Sequence, residues 1–301
     1  MVLVAAVLVT VTAATGCGDE GTADDGADGS SASTASSTGP RPTEAPTTPA
    51  PAKLELVAVD HAFESAAALQ APSGALEITL ENRGAEDHAA TVVRYKPAKS
   101  FDDFAEALTR PDAIYDVIET FGGPNAVPPG GIGTATVDLE PGEYQVFCMI
   151  PSPGDGIPHL AKGMQVPLTV TASEDPASLP LAEETITLLD YSFGTAEELP
   201  AGSTVEVVNG GQVPHELAMY RPAGDESAEE VQELLTSEPT AGGGPVPAVG
   251  VGGVSLLDPG RSNTTTLPSE PGEYVLLCFL PTPGSGAPHH TQGMAKVLTL
   301  T

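Results

Sequence analysis

The sequence predicts an all-β protein, two tandem β-sandwiches each interrupted by one short helix. Three observations carry that expectation. The chain repeats itself: PGEYQVFCMIPSPGDGIPHLAKGM at 141–164 and PGEYVLLCFLPTPGSGAPHHTQGM at 271–294 agree at 13 of 24 positions, at an offset of 130 residues. Within each copy the apolar residues alternate with a period of two between clusters of Gly and Pro, the pattern of half-buried antiparallel strands. The composition agrees: 33 Gly and 30 Pro in 301 residues, 4% aromatics and no Trp suit short strands and many turns better than long helices.

Taken in order, residues 1–17 read as an export segment. MVLVAAVLVTVTAATG is uncharged and apolar, shorter than the roughly 20 residues that span a bilayer, and of the length of a secretory h-region. It leads through small residues into Cys17 and resembles a bacterial lipoprotein cleavage site, although Ala14 stands where Leu is usual and no Lys or Arg precedes it. The resemblance implies lipidation of Cys17. Residues 18–52 are Ser, Thr, Ala, Pro, Gly and Asp with almost nothing to bury, so a disordered tether is expected. The two copies follow at 53–172 and 181–301, joined by a Pro-, Ala- and acid-rich junction.

Inside the copies, Ala75–Leu80 and Ser203–Val208 alternate as strands. Ser100–Leu108 reads as a helix with a capping pattern at Ser100 and Asp103 and with Phe101, Phe104, Ala105 and Leu108 on its apolar face. Ser227–Leu235 is its counterpart, with Val231, Leu234 and Leu235 facing the core.

Charge excludes one class of function. With 41 Asp and Glu against 11 Lys and Arg, the formal charge is -30, so the chain is no nucleic-acid binder, which needs clustered cations. The same acidity serves solubility or steers the chain toward basic partners, and the sequence leaves both open.

The residues that carry chemistry recur. Each copy has an early His and, late, a Cys, a His and a Met: His88, Cys148, His159 and Met164 in the first, His215, Cys278, His289 and Met294 in the second. Two imidazoles, a thiolate and a weak thioether are the donor set of a blue-copper site. Each residue alone has a plainer explanation. A strand Cys is commonly a small buried hydrophobe, a Met beside a strand is usually packing, and Cys148 with Cys278 could form a disulfide. All four types recurring at matching places favours metal.

These positions resemble the cupredoxin superfamily, the plastocyanin and azurin relatives. Gly142-x-Tyr144-x3-Cys148 and Gly272-x-Tyr274-x3-Cys278 are similar to the strand that delivers the cysteine. Asn82-x5-His88 and Asn209-x5-His215 resemble the strand end that delivers the first His. Pro158-His159-x3-Gly163-Met164 and Pro288-His289-x3-Gly293-Met294 resemble the return loop. The likeness spans both copies. It implies a Greek-key sandwich in each, one type 1-like copper ion per domain and single-electron transfer. One departure stands out: ten residues separate Cys from the second His, where the family has a few. That Pro- and Gly-rich excursion returns the His only if it is a fixed hairpin.

The histidine count weighs against an enzyme. Of six His, two copper sites take four, leaving His61 and His290, too few for the additional copper of an oxidase or nitrite reductase. His61 has Tyr191 as its counterpart and is read as a surface residue; His290 is the rival ligand of the second copy. The leading expectation is therefore a lipid-anchored, extracytoplasmic copper protein that exchanges electrons with a basic redox partner. Copper sequestration or delivery without redox work, and a metal-free β-sandwich binding module, are the alternatives.

Overall fold

The computed structural model describes residues 49–64, 68–237 and 247–301. The export segment, Cys17 and nearly all of the expected tether lie outside the described residues. The described part belongs to one compact unit, 47–301.

The first repeat runs β1 (Ala52–Val59), β2 (Ala62–Phe63), β3 (Leu69–Pro72), β4 (Gly74–Asn82), β5 (Thr91–Tyr95), α1 (Phe101–Ala107), β6 (Ile118–Thr120), β7 (Ile132–Leu139), β8 (Gly142–Phe147) and β9 (Gln165–Thr171). The second runs β10 (Glu184–Leu189), β11 (Ser192–Gly194), β12 (Glu198–Leu199), β13 (Thr204–Asn209), β14 (His215–Pro222), α2 (Ala228–Thr236), β15 (Ala248–Leu257), β16 (Ser262–Thr266), β17 (Gly272–Leu277) and β18 (Ala295–Leu300). This is the tandem cupredoxin-like arrangement of β-sandwiches with helical insertions. Each repeat has its own five-stranded sheet, β3-β9-β8-β5-β6 in the first and β12-β18-β17-β14-β15 in the second.

The opposing layer is shared. A single eight-stranded sheet, β11-β10-β13-β16-β7-β4-β1-β2, crosses from one repeat to the other through antiparallel β7 and β16. These are equivalent strands, and Ala135 pairs with its own counterpart Thr265. The contact is therefore self-complementary, as across a local two-fold axis, and it pairs two edges that would otherwise face water. Side chains and backbone reinforce the joint. The Thr120 hydroxyl donates to Asp258 at 2.8 Å, Asn263 donates to the Phe121 carbonyl at 3.0 Å, and the Gly122 N–H donates to the Leu256 carbonyl at 2.8 Å.

Alternation builds the two cores. Leu76, Ile78 and Leu80 of β4 and Val205 and Val207 of β13 are buried, facing Tyr144, Val146 and Tyr274 of the opposing sheets. Each helix covers the outer face of a five-stranded sheet. Ser100 and Ser227 cap α1 and α2 with complete capping boxes, satisfying free N–H groups of the first turn. The apolar faces differ from expectation. In α1, Phe104 and Ala107 are buried while Phe101 and Ala105 are exposed; in α2, Ala228 and Val231 are buried while Leu234 is exposed. Each helix meets its sheet over barely one turn, so the contact stripe is narrower than the apolar set.

Candidate metal centres

Three segments deliver each site. The early His enters from the end of β4 or β13, and a buried Asn fixes the turn before it. The Asn82 amide donates to the carbonyls of Glu86 and Val127, each at 2.8 Å, and its oxygen accepts the Gly84 N–H at 2.8 Å. Asn209 does the same with Val213, Leu257 and Gly211 at 2.9, 2.7 and 2.9 Å. A Cβ on Gly84 would stand 2.7 Å from His88 Nε2, and one on Gly211 2.7 Å from His215 Nε2, so only Gly lets the ring lie over this turn.

The cysteine follows the last residue of β8 or β17. The ten-residue excursion behind it is a closed hairpin. Pro151 bridges Pro158, the His159 N–H donates to the Ile150 carbonyl at 3.0 Å, and the Leu160 N–H donates to the Cys148 carbonyl at 2.8 Å. In the second repeat Pro281 bridges Pro288, His289 N–H donates to Leu280 at 2.9 Å, and His290 N–H donates to Cys278 at 2.9 Å. The hairpin thus returns the His to the cysteine despite its length. A short 3-10 turn ends on Gly163 or Gly293 at φ 109° and 113°, and the chain enters Met164 or Met294. The Cys148 and Cys278 N–H groups donate to the Met164 and Met294 carbonyls at 3.2 and 3.3 Å, which sets Met beside Cys.

In both repeats Nδ1 atoms gather round a sulfur. Cys148 Sγ lies 3.3 Å from His159 Nδ1 and 3.8 Å from His88 Nδ1. Cys278 Sγ lies 3.4 Å from His289 Nδ1, which is 3.1 Å from His215 Nδ1. Within each trio every ligand atom lies within 4.8 Å of the others, and all six residues are fully buried. Both cysteines are free, so the disulfide alternative falls. His289, not His290, completes the second trio; His290 packs edge-on against Phe279.

Carboxylates behind the rings set their tautomers. His159 Nε2 is 2.7 Å from Glu86, and His215 Nε2 is 3.1 Å from Asp190. A carboxylate only accepts, so Nε2 carries the hydrogen and Nδ1 turns a lone pair to the centre. The repeats differ in which ring is held: the late His in the first, the early His in the second. The other rings, His88 and His289, have buried Nε2 atoms without partners. Burial, then the neighbouring imidazole, lowers His88 and His289 to about 4, so both are neutral at pH 7. Burial also pushes the Cys148 thiol up to about 12 and Cys278 well above its usual value.

The donor set fits a cation. Two imidazole nitrogens and a thiol converging in a dry pocket are donors a metal ion binds, and an ion held there would take the place of the thiol proton. Each repeat therefore has the capacity for one copper-type site.

Some functional neighbours escaped the sequence reading. His61 is not a bare surface residue. It is half-buried, stacks edge-on over His159 with ring centroids 5.1 Å apart, and its Nε2 meets the Ser152 hydroxyl at 3.2 Å. Tyr191 stacks the same way on His289, also at 5.1 Å. Both sit at φ near 65° in matching turns, which explains why the repeat tolerates either ring. Asp190 was visible in the repeated VDHAF and LDYSF, where Asp60 is its counterpart; Glu86 has Val213 in its place and left no signal.

No protein-family model and no curated protein matches the chain. Among solved structures, the chain is similar to reduced auracyanin from Roseiflexus castenholzii, at 20% identity over 41% of this chain and 99% of that one, with a TM-score of 0.28. Auracyanin A from Chloroflexus aurantiacus is 19% identical over 40% of this chain and 100% of its own, TM-score 0.30. A copper-containing nitrite reductase from Thermus scotoductus is 14% identical over 84% of this chain and 62% of its own, TM-score 0.26. Superpositions this loose carry no weight beside the geometry of the two trios.

Proposed function

We propose that this chain is an extracytoplasmic electron-transfer protein that holds one copper ion in each repeat. His88, Cys148 and His159, with Met164, would hold the first; His215, Cys278 and His289, with Met294, would hold the second. The observation that supports this most strongly is the convergence of a buried sulfur and two imidazole Nδ1 atoms, made once in each repeat. Copper bound there supplies a one-electron couple.

The chain's own residues keep that couple's surroundings fixed. The hairpins close through their own backbone hydrogen bonds, the carboxylates lock two rings, and the side chains exclude water. A site already assembled without metal has little to rearrange as charge changes, which favours electron transfer over sequestration, where exchangeable ligands need freedom to move. The two remaining imidazoles, His61 and His290, belong to different repeats, so the chain is read as a carrier and not an enzyme. A lipid on Cys17 would tether it to the outer face of the membrane, and its negative charge would favour a basic redox partner.

Copper per chain and the visible spectrum, measured on protein purified from an export compartment, test this reading. Two copper ions with an intense thiolate charge-transfer band are expected. Tight binding with no visible band in air would point to Cu(I) storage and overturn the electron-transfer reading.

A further inference from the structure

A cleft of about 420 Å³ opens between the two repeats, a volume within the range of small-molecule sites. It touches the flanks of both trios. Ala89, Met149 and Pro158 are the chain neighbours of His88, Cys148 and His159; Glu216 and Phe279 follow His215 and Cys278.

Its walls are mostly apolar and flat: Pro151, Pro158 and Pro281, with the rings of Tyr220 and Phe279. Flat faces of this kind pack well against a planar ring. Three polar side chains break the apolar lining, and all are buried. Glu216 accepts from the Phe279 N–H at 2.9 Å and from the Asn125 amide at 3.1 Å, which uses two of a carboxylate's roughly four acceptor positions. Thr91 is 0% exposed and its hydroxyl has no partner. A buried hydroxyl in the cleft wall without a partner is an uncompensated polar group, and a ligand that displaces the side chains covering it recovers the lost hydrogen bond.

We propose that this cleft binds a small neutral aromatic molecule bearing one hydroxyl, its ring between the proline and aromatic faces and its hydroxyl meeting the hydrogen-bonding capacity that Thr91 and Glu216 leave unused. An anion is disfavoured by the formal charge of -30. The site is made by packing between the repeats and needs no metal.

The test titrates the metal-free full chain with 1-naphthol, its methyl ether and 1-naphthoate, by calorimetry. We expect one naphthol per chain, at least about tenfold weaker binding of the ether, which cannot donate, and no saturable binding of naphthoate. Ala218→Met, which fills the cleft, should abolish naphthol binding. Thr91→Val keeps the shape, loses only the hydroxyl and should weaken naphthol several-fold with a urea midpoint equal to or above that of wild type; it carries the test if Ala218→Met fails to fold. Absence of saturable naphthol binding overturns the proposal. So does equal affinity for naphthol and its ether, or for wild type and Thr91→Val.

Discussion

Removing the carboxylate behind a ring should weaken metal binding in the repeat that loses it, and by different amounts in the two repeats. Glu86→Ala leaves His159 Nε2–H without its acceptor, and Asp190→Ala does the same to His215. Loss of such an outer partner typically lowers metal affinity 10- to 100-fold, about 1.4 to 2.7 kcal/mol. The structure ranks the two. The Glu86 contact is shorter, 2.7 Å against 3.1 Å, and its carboxylate is 30% exposed against 38% for Asp190, so water screens it less. Glu86→Ala should therefore fall toward the upper end of that range and Asp190→Ala near tenfold. Glu86→Gln, which keeps an acceptor and loses the charge, should fall between Glu86→Ala and wild type. The assay is competitive copper titration against a chelator, with the other repeat silenced by Cys278→Ser or Cys148→Ser. Unchanged affinity in both Ala variants would refute the claim that these contacts orient the rings; a larger loss for Asp190→Ala would refute the ranking.

Other outcomes follow from the same contacts. Asn82→Ala removes three hydrogen bonds, leaving the Glu86 carbonyl without its donor and the Val127 carbonyl with the His88 N–H alone, so urea denaturation should show a loss of about 2–4 kcal/mol, and Asn209→Ala a similar one. The metal-free protein should lose stability on acidification. His88 and His289 titrate near 4 folded and near 6.5 unfolded, so the unfolded chain takes up protons first; stability is complete above pH 6.5 and drains as pH falls to about 4, by at most roughly 3 kcal/mol per ring. His88→Gln with His289→Gln should flatten that profile, and an unchanged slope would contradict it. Thr265→Pro, placed where β16 meets β7, should break the shared sheet and separate two thermal transitions in calorimetry; a single unsplit transition would show that the joint does not couple the repeats.

Much of this was legible in the chain because it is written twice. The repeat exposed Cys148, His159 and Met164 beside Cys278, His289 and Met294, and Asn82 and Asn209 marked turns whose purpose only the hydrogen bonds explain. The hairpin was legible as Pro and Gly but its closure was not, since Pro151 meeting Pro158 depends on backbone pairing. Asp190 stood in the repeated VDHAF and LDYSF, but Glu86 stayed hidden because Val213 takes its place in the second repeat and the two carboxylates serve different rings. The shared sheet is a choice between strand edges, and alternation along β7 or β16 says which face is buried but not which edge is taken. Phe101 and Leu234 misled because an apolar residue on a short helix need not reach the sheet beneath it.

The central claim is that one thiolate and two imidazoles share an ion in each repeat. X-ray absorption at the copper edge of the fully loaded chain tests it most directly. The account predicts one short copper–sulfur and two copper–nitrogen contacts per ion, with occupancy halved in Cys148→Ser or in Cys278→Ser and lost when both are replaced. A first shell of nitrogen and oxygen only, unchanged when both cysteines are replaced, would contradict it.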